Sequence, residues 1–280
     1  MRKKRQKGSR NSKGFTLIEL LIAMAVSGIV MVVIYWVYSN QQKSYGIQED
    51  IVAMQQNVRA SMDVMEMEIR MAGYDPLKLG NFGITDIRMK DINDAPNVNG
   101  NGSVEFTIDR NGDGIVTAGD ETVYFCIFDA GGDGRSDLGL RYGGGGRQLL
   151  GENMAALGFA YAFDDDGDGN LDTSPGGNVV WAYDSNNDNL LDRRLDTDDN
   201  GVIDTNDNAA GSALPAPIPL TIPPASIRSV KIWLLAETIH PDTKYSDTRT
   251  YVVANQRITP NNNFRHQLVT TTIRCRNMGL

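Results

Sequence analysis

Histidine and basic clusters are scarce in this 280-residue sequence, and each shortage argues against a class of function. Only two histidines occur, His240 and His266, and neither stands at the spacing of metal ligands, which argues against a zinc site. Acidic residues outnumber basic ones, 35 to 27, and beyond the N terminus there is no basic cluster. Because phosphate binding needs such a cluster, no nucleic-acid partner is expected.

Catalytic motifs are also missing. The sequence has no G-x-S-x-G elbow and no paired Cys and His, and no pair of carboxylates stands out among so many acids. The run "GGGGR" at residues 143–147 lacks the Lys-Ser/Thr of a P-loop, so a flexible hairpin is the better interpretation. We therefore expect that the protein is not an enzyme.

Cysteine is limited to Cys126 and Cys275, so one disulfide is the most that a single chain can form. Both residues lie in strand-like stretches, where two buried free thiols are as compatible with the sequence as a bridge. The extracytoplasmic compartment inferred below is oxidising in bacteria, which permits the bridge. The sequence leaves both alternatives open.

Charge is distributed unevenly at the N terminus. Seven of the 27 basic residues precede Gly14 with no acid among them, and the 24 residues from Phe15 to Tyr38 contain one charged residue, Glu19. A run of this length can span a hydrocarbon core of about 30 Å as a helix. The positive-inside rule keeps the basic stretch in the cytoplasm and places the chain after Tyr38 outside it.

Two general explanations of this segment leave Glu19 unexplained. A secretory signal cleaved at an A-x-A site formed by Ala23 and Ala25 is disfavoured, because the apolar run continues well past Ala25. A plain membrane anchor accounts for the length of the run. It does not account for the acid, because a carboxylate within a bilayer is costly and usually marks a function.

The stretch "GFTLIEL", Gly14 to Leu20, resembles the class III signal of type IV pilins and type II secretion pseudopilins. The resemblance implies that residues 1–14 are a basic prepilin leader and that a prepilin peptidase cuts between Gly14 and Phe15. It also implies methylation of the new amino group of Phe15. Glu19 would then pair with the terminal amine of a neighbouring subunit, since opposite charges attract strongly in a low-dielectric setting.

Helical periodicity continues beyond the membrane run. Apolar residues recur at spacings of three and four from Ile47 to Ile69, and Gly73 is placed to cap the helix that they predict. We expect one helix over residues 15–73, with residues 15–38 in the membrane before assembly. Its C-terminal half should pack on a globular domain.

Three further segments resemble parts of PilW-type minor pilins. They are "RMAGY" at residues 70–74, "NMAALGFAYAF" at 153–163 and "LVTTTIRCRN" at 268–277. Short β-rich runs separated by Gly, Asn and Asp fill residues 74–280, which predicts a single β-rich domain. The expected fold is α+β, with a long N-terminal helix packed on an antiparallel β-sheet, and the resemblance implies the lollipop shape of pilins.

Acidic loops interrupt the β-rich region and match the oxygen-donor spacing of calcium loops. Residues 109–120 offer Asp109, Asn111, Asp113, Thr117 and Asp120, with Gly114 at position 6. Within residues 184–207, one set comprises Asp196, Asp198, Asn200, Asp204 and Asp207, with Gly201 at position 6. We expect both to bind calcium; the alternative is a set of solvated turns.

Weaker sets follow the same pattern. Residues 164–172 offer Asp164, Asp166, Asp168 and Asp172, but Pro175 falls at position 12. A fourth set, Asp184, Asn186, Asp188 and Asp192, lacks the glycine, and a fifth, Asp129, Asp133 and Asp137, has Gly131 where a donor is expected. Repetition strengthens the calcium hypothesis, because clustered carboxylates repel one another unless a cation is bound.

Together these features favour a PilW-like minor pilin at the tip or initiation complex of a type IV pilus. The expected partners are the prepilin peptidase, other minor and major pilins through the N-terminal helix, and the bacterial inner membrane before assembly. The globular domain would be periplasmic in the precursor and at the pilus or cell surface afterwards. Two alternatives remain, a type II secretion pseudopilin and a membrane-anchored calcium-dependent adhesin.

Overall fold

The computed structural model describes residues 14–117 and 119–279, and contacts divide the chain into two compact units, residues 1–49 and 50–280. Helix α1, Leu17–Arg70, is 54 residues long. In the first unit the apolar side chains from Leu17 to Tyr45 are exposed on all sides. Among the described residues, α1 is the one helix long and apolar enough to cross a membrane, with a mean hydropathy of 2.7 over 18 residues.

In the second unit α1 buries one face. Met54, Val58, Met62, Met65 and Ile69 follow one another at spacings of three and four and are buried. These spacings place the side chains on one side of a helix with 3.6 residues per turn. Apolar side chains of two β-sheets pack against this stripe and complete the main core.

Gly73 ends the helical path. Its φ of +76° is a left-handed conformation that glycine adopts without strain, and its amide donates a 3.0 Å hydrogen bond to the carbonyl oxygen of Thr107. A Cβ at this position would lie 2.7 Å from Cγ of Met278. Close packing and backbone geometry therefore both require glycine where the chain leaves α1.

The first sheet has five antiparallel strands in chain order: β1 (Ile84–Asp86), β2 (Val104–Thr107), β3 (Thr122–Phe128), β4 (Asp137–Tyr142) and β5 (Gln148–Gly151). The glycine-rich residues 143–147 connect β4 to β5, which pair antiparallel. The hairpin expected for the "GGGGR" run is thereby confirmed. The acidic loop at residues 109–120 lies between β2 and β3.

The second sheet has six antiparallel strands: β6 (Met154–Phe163), β7 (Ala182–Tyr183), β8 (Arg193–Arg194), β9 (Ser212–Ala213), β10 (Ile227–Glu237) and, after the hairpin β11 (Tyr251–Val253) and β12 (Gln256–Ile258), β13 (His266–Arg274). Its spatial order is β13-β10-β6-β7-β8-β9. A short 3₁₀ helix, Pro224–Ser226, precedes β10. The expected α+β class with antiparallel sheet is confirmed, with two main sheets in place of one.

Strand β10 is buried on both faces, which explains its unbroken apolar run from Ile232 to Ala236. Ile232 and Leu234 face the main core, whereas Trp233 and Leu235 face a second cluster on the opposite side of the sheet. Alternate residues of a strand point to opposite faces, so each face receives every second side chain. The hairpin of β11 and β12 contributes Tyr251 and Val253 to the second cluster.

A buried ionic cluster lies beside that hairpin. His266 Nδ1 is 3.2 Å from Asp247 Oδ2, and His266 Nε2 is 3.3 Å from Glu237 Oε2. Arg249 binds Asp247 at 2.9 Å, and the hydroxyl of Tyr251 donates to Asp247 at 2.8 Å. The hydrogen bonds from Arg249 hold the pKa of Asp247 far below its usual range.

Cys126 and Cys275 are both buried free thiols, so the disulfide left open by the sequence does not form in this structure. Phe125 and Ile127 of β3 face the main core, and Cys126 between them points to the other side of the sheet. Cys275 belongs to the main core. Burial raises the pKa of Cys126 to about 11 and that of Cys275 to about 12, so both thiols stay protonated.

Candidate functional site

The predicted processing segment lies at the start of the described chain. Leader residues 1–13 are outside the described residues, and Gly14 and Phe15 precede α1 in an exposed, non-helical stretch. Phe15 is 92% exposed. A peptidase acting on the Gly14–Phe15 bond therefore finds it outside helical hydrogen bonding.

Glu19 is held by hydrogen bonds from its own chain. Its Oε2 accepts from the amide and the hydroxyl of Thr16, both at 2.8 Å, and the amide of Glu19 donates to the Thr16 hydroxyl at 3.3 Å. This reciprocal arrangement is a capping box, which the spacing T-x-x-E at residues 16–19 could have predicted. The carboxylate is thereby fixed at the positive end of the helix dipole, beside the residue whose nitrogen cleavage would free.

The acidic loops share one backbone arrangement. In each loop, the carboxylate at position 1 accepts one hydrogen bond from the backbone amide at position 4 or 5. It accepts a second from the backbone amide at position 6. Asp109 accepts from Gly112 at 2.6 Å and Gly114 at 3.0 Å. Equivalent pairs of bonds are made by Asp129, Asp164, Asp184 and Asp196.

Left-handed backbone at positions 4 and 6 makes this arrangement possible. Gly112 and Gly114 have φ of +77° and +73°. In the fourth set, which lacks glycine, Asn187 and Asn189 adopt φ of +62° and +70°. Asparagine tolerates this conformation better than most residues, so the loop forms without the expected glycine. The sequence pattern predicted a glycine at position 6 only, and not the left-handed residue at position 4.

The first loop brings together Asp109, Asp113 and Glu121, whose nearest carboxylate oxygens all lie within 4.8 Å of one another. The predicted closing residue, Asp120, is not in this group. Its side chain is 72% exposed and turns towards Arg110, with Oδ2 4.0 Å from Nε. At the start of β3, Glu121 rather than Asp120 points inward, towards Asp109 and Asp113.

Other groups around the first loop support the carboxylates. Thr117 does not join the cluster of acids; its amide and hydroxyl donate to Glu121 Oε2 at 2.8 and 2.7 Å. These bonds lower the pKa of Glu121, so it is charged at neutral pH. Asn111 accepts from the Asp113 amide at 2.8 Å, which orients the loop.

In two more clusters the carboxylate oxygens also lie within 4.8 Å of one another. One contains Asp164, Asp166 and Asp168; the other contains Asp196, Asp198 and Asp207. Asp172 and Asp204, predicted as further ligands, serve the loop backbone in the structure: Asp172 accepts from the Asp165 amide at 2.8 Å, and Asp204 from the Asn206 amide at 2.7 Å. Asn200 accepts from the Val202 amide at 2.7 Å.

The fourth set forms no comparable carboxylate cluster within the described residues. Asp192 accepts from the Ser185 amide at 2.8 Å, Asn186 accepts from the Asp188 amide at 3.0 Å, and Asp188 accepts from the Leu190 amide at 2.9 Å. Side chains of the neighbouring asparagines bind the backbone of residues 85–89. This loop, with its buried Asp184, therefore acts as a structural turn that fastens one edge of the domain.

Negative charge is concentrated in these loops and affects the pKa of several of their acids. Burial raises the pKa of Asp172, Asp184 and Asp198, and neighbouring carboxylates raise it further. A divalent cation would neutralise such charge through oxygen ligands, which are the donors that calcium takes in proteins. The three compact clusters are chemically suited to hold one ion each.

Comparisons with known proteins bear on both ends of the chain. Residues 9–35 match the model of the prokaryotic N-terminal methylation motif, and residues 182–277 match that of type IV pilus-assembly protein W. A type IV-like pilin from Thermus thermophilus aligns with 13% sequence identity and a TM-score of 0.41, covering 81% of this chain and 98% of that one. The curated proteins include no match.

Proposed function

We propose that this type IV pilin-like protein, with its prepilin motif and PilW region, is a minor pilin processed between Gly14 and Phe15 and incorporated at the tip or initiating end of a type IV pilus. The observation that carries the proposal is the prepilin motif placed in register at the start of an exposed apolar helix. The PilW match supports a pilus over a type II secretion system.

The exposed apolar half of α1 supports assembly through this helix. Side chains from Leu17 to Tyr38 are exposed on all sides, and water is a poor solvent for them. The inner membrane covers this surface before assembly. Afterwards the equivalent helices of other pilins cover it, so the same segment serves as anchor and then as filament core.

Glu19 supplies the specificity of that transfer. Cleavage leaves a positive amine on Phe15, and the carboxylate of an adjacent subunit can pair with it inside the apolar helix bundle. Hydrogen bonds from Thr16 hold the Glu19 carboxylate at the helix start. An unpaired carboxylate is costly in lipid, whereas a paired one is tolerated, so assembly is favoured over residence in the membrane.

Calcium is part of the same proposal. The clusters at Asp109, Asp164 and Asp196 would each bind one ion in the periplasm or outside the cell and stiffen the loops of the globular domain. An ion that binds the folded state and not the unfolded state raises the melting temperature. Equal melting temperatures of the full chain in calcium and in chelator would overturn this part of the proposal.

A comparison of substitutions at Glu19 tests the assembly role. Glu19→Gln keeps the capping box, because glutamine accepts the bonds from Thr16, but it removes the charge. We expect this variant, like Glu19→Ala, to be cleaved by the prepilin peptidase and to be missing from sheared pili in immunoblots. Glu49→Ala, an exposed acid later on the same helix, is the control and should incorporate normally.

Incorporation of Glu19→Gln at the wild-type level would show that the carboxylate serves only as a helix cap. Incorporation of Glu19→Ala into sheared pili at the wild-type level would reject the assembly role of Glu19 altogether. Normal display of the domain on the cell surface without any polymer would favour the adhesin.

A further inference from the structure

Glu121 has a buried carboxylate oxygen without a hydrogen-bond partner among the residues that the structure describes. The residue is 1% exposed and immediately precedes β3. Its Oε2 accepts two hydrogen bonds from Thr117, whereas its Oε1 makes no hydrogen bond within the described part of the chain, although the backbone amides of Arg110 and Asn111 lie near this carboxylate. Leaving a buried charged acceptor without a partner is costly, so native structures supply a donor, a water or an ion. This oxygen belongs to a residue of the first acidic cluster.

The surroundings favour a cation as the missing partner. Asp109, Asp113 and Glu121 present three carboxylates whose oxygens lie within 4.8 Å of one another. Oxygens bound to one calcium ion at 2.3–2.6 Å lie at most about 5 Å apart, so these three can share an ion. Arg110 does not neutralise the cluster, because its guanidinium binds Glu68 at 2.5 Å and the Asp120 carbonyl at 2.9 Å.

The loop is joined directly to the C-terminal end of α1. Arg110, the second residue of the loop, pairs with Glu68 of the helix, and the Tyr142 hydroxyl donates to the other Glu68 oxygen at 3.0 Å. The amide of Asp109 donates to the carbonyl oxygen of Tyr74 at 2.9 Å. An ion that fixes this loop therefore also fixes Arg110 against the last turn of α1.

We infer that Asp109, Asp113 and Glu121 form a calcium site in which Glu121, in place of Asp120, is the closing ligand. Occupancy of this site holds the end of α1 against the globular domain through Arg110 and Glu68. The inference rests on the calcium binding proposed above and deepens it, since it assigns the closing ligand and a mechanical role to one of the three clusters.

Calcium titration of the full chain in detergent tests the ligand assignment. The wild type, Glu121→Gln and Asp120→Asn are stripped with chelator and titrated with calcium by calorimetry. Glu121→Gln keeps the size of the side chain and can still accept from Thr117, but its affinity at one site should fall at least about tenfold, because even outer-shell changes cost that much. Asp120→Asn is the matched neighbour and should bind like the wild type.

Asp113→Asn is a second variant, chosen because Asp113 is exposed and its replacement leaves the core intact. It should lose affinity at the same single site, which keeps the inference testable if Glu121→Gln fails to fold. Hydrogen exchange then tests the coupling. Calcium should slow exchange of the amides of residues 66–72 in the wild type and have no such effect in either ligand variant.

The outcomes separate the inference from the proposed function. Wild-type affinity in Glu121→Gln, or a loss confined to Asp120→Asn, overturns the assignment while calcium binding stands. Absence of calcium binding by the wild type overturns both, and equal binding of magnesium overturns the choice of ion. If calcium does not change the amide exchange rates of residues 66–72 in the wild type, the coupling to α1 is overturned. None of these results depends on pilus assembly.

Discussion

Replacement of Met65 by alanine tests how the globular domain holds its helix. Met65 is fully buried on the stripe of α1 that faces both sheets, and its side chain belongs to the main core. Removing such a side chain costs the lost transfer free energy and leaves a cavity, about 2–5 kcal/mol in total. For a domain of this size each kcal/mol shifts the melting temperature by about 2–4 °C, so we expect a fall of about 4–20 °C.

Met67→Ala is the matched control, because Met67 lies two residues along the same helix and is 60% exposed. Alanine is the best helix former, so this change should alter stability by no more than about 0.5 kcal/mol. Both variants are melted as full chains in detergent at fixed calcium, with fluorescence of Trp181 and Trp233 and near-ultraviolet circular dichroism as signals. Equal losses in the two variants, or a larger loss in Met67→Ala, would refute the assigned packing face.

Three further predictions address charge, backbone and thiols. The pKa of Asp247 lies below its unfolded value of about 3.9, so its stabilisation is present above that pH and is lost as pH falls towards the folded value. At pH 7, urea unfolding should therefore give Asp247→Asn a free energy of unfolding about 1–3 kcal/mol below that of the wild type. This difference in free energy should narrow at pH 3. A difference that stays constant with pH contradicts the pairing. Gly167 has φ of +71° with open space where a Cβ would go, so Gly167→Ala should lower the free energy of unfolding in urea by about 1–2 kcal/mol. Gly144 also lies in open space but without positive φ, so Gly144→Ala should lower it less. Equal losses in the two variants would contradict the strain argument. Cys126 and Cys275 should resist maleimide in the native protein and both react in urea without reductant; failure of both to react in urea would reveal a bridge.

The sequence predicted those parts of the fold that depend on local pattern. The amphipathic stripe of α1 and its end at Gly73 follow from spacing and from glycine's backbone freedom, both visible within a few residues. Local pattern does not single out strand β4, because "DLGLRY" is short and carries a glycine. Its place in the first sheet comes from pairing with β3 and β5, which a single segment does not reveal.

The acidic loops show the same division. Positions 1, 3, 5 and 6 are local, and the Asx hydrogen bonds around Asp109 and Asp164 follow the spacing. Which acid faces the cluster, Asp120 or Glu121, depends on how the chain enters β3, so that choice required the fold. The cysteine pairing likewise depended on placement in the fold: Cys126 of β3 points away from the main core, whereas Cys275, after β13, lies in it, and only the assembled sheets decide that.

The central claim is that the chain is processed and then built into a filament. Mass spectrometry of the N-terminal peptide from sheared pili tests it most directly. The account predicts a mature chain that begins at Phe15 with a methylated amino group, present in the filament fraction. A chain that keeps residues 1–14, or that is confined to the membrane fraction, would contradict it.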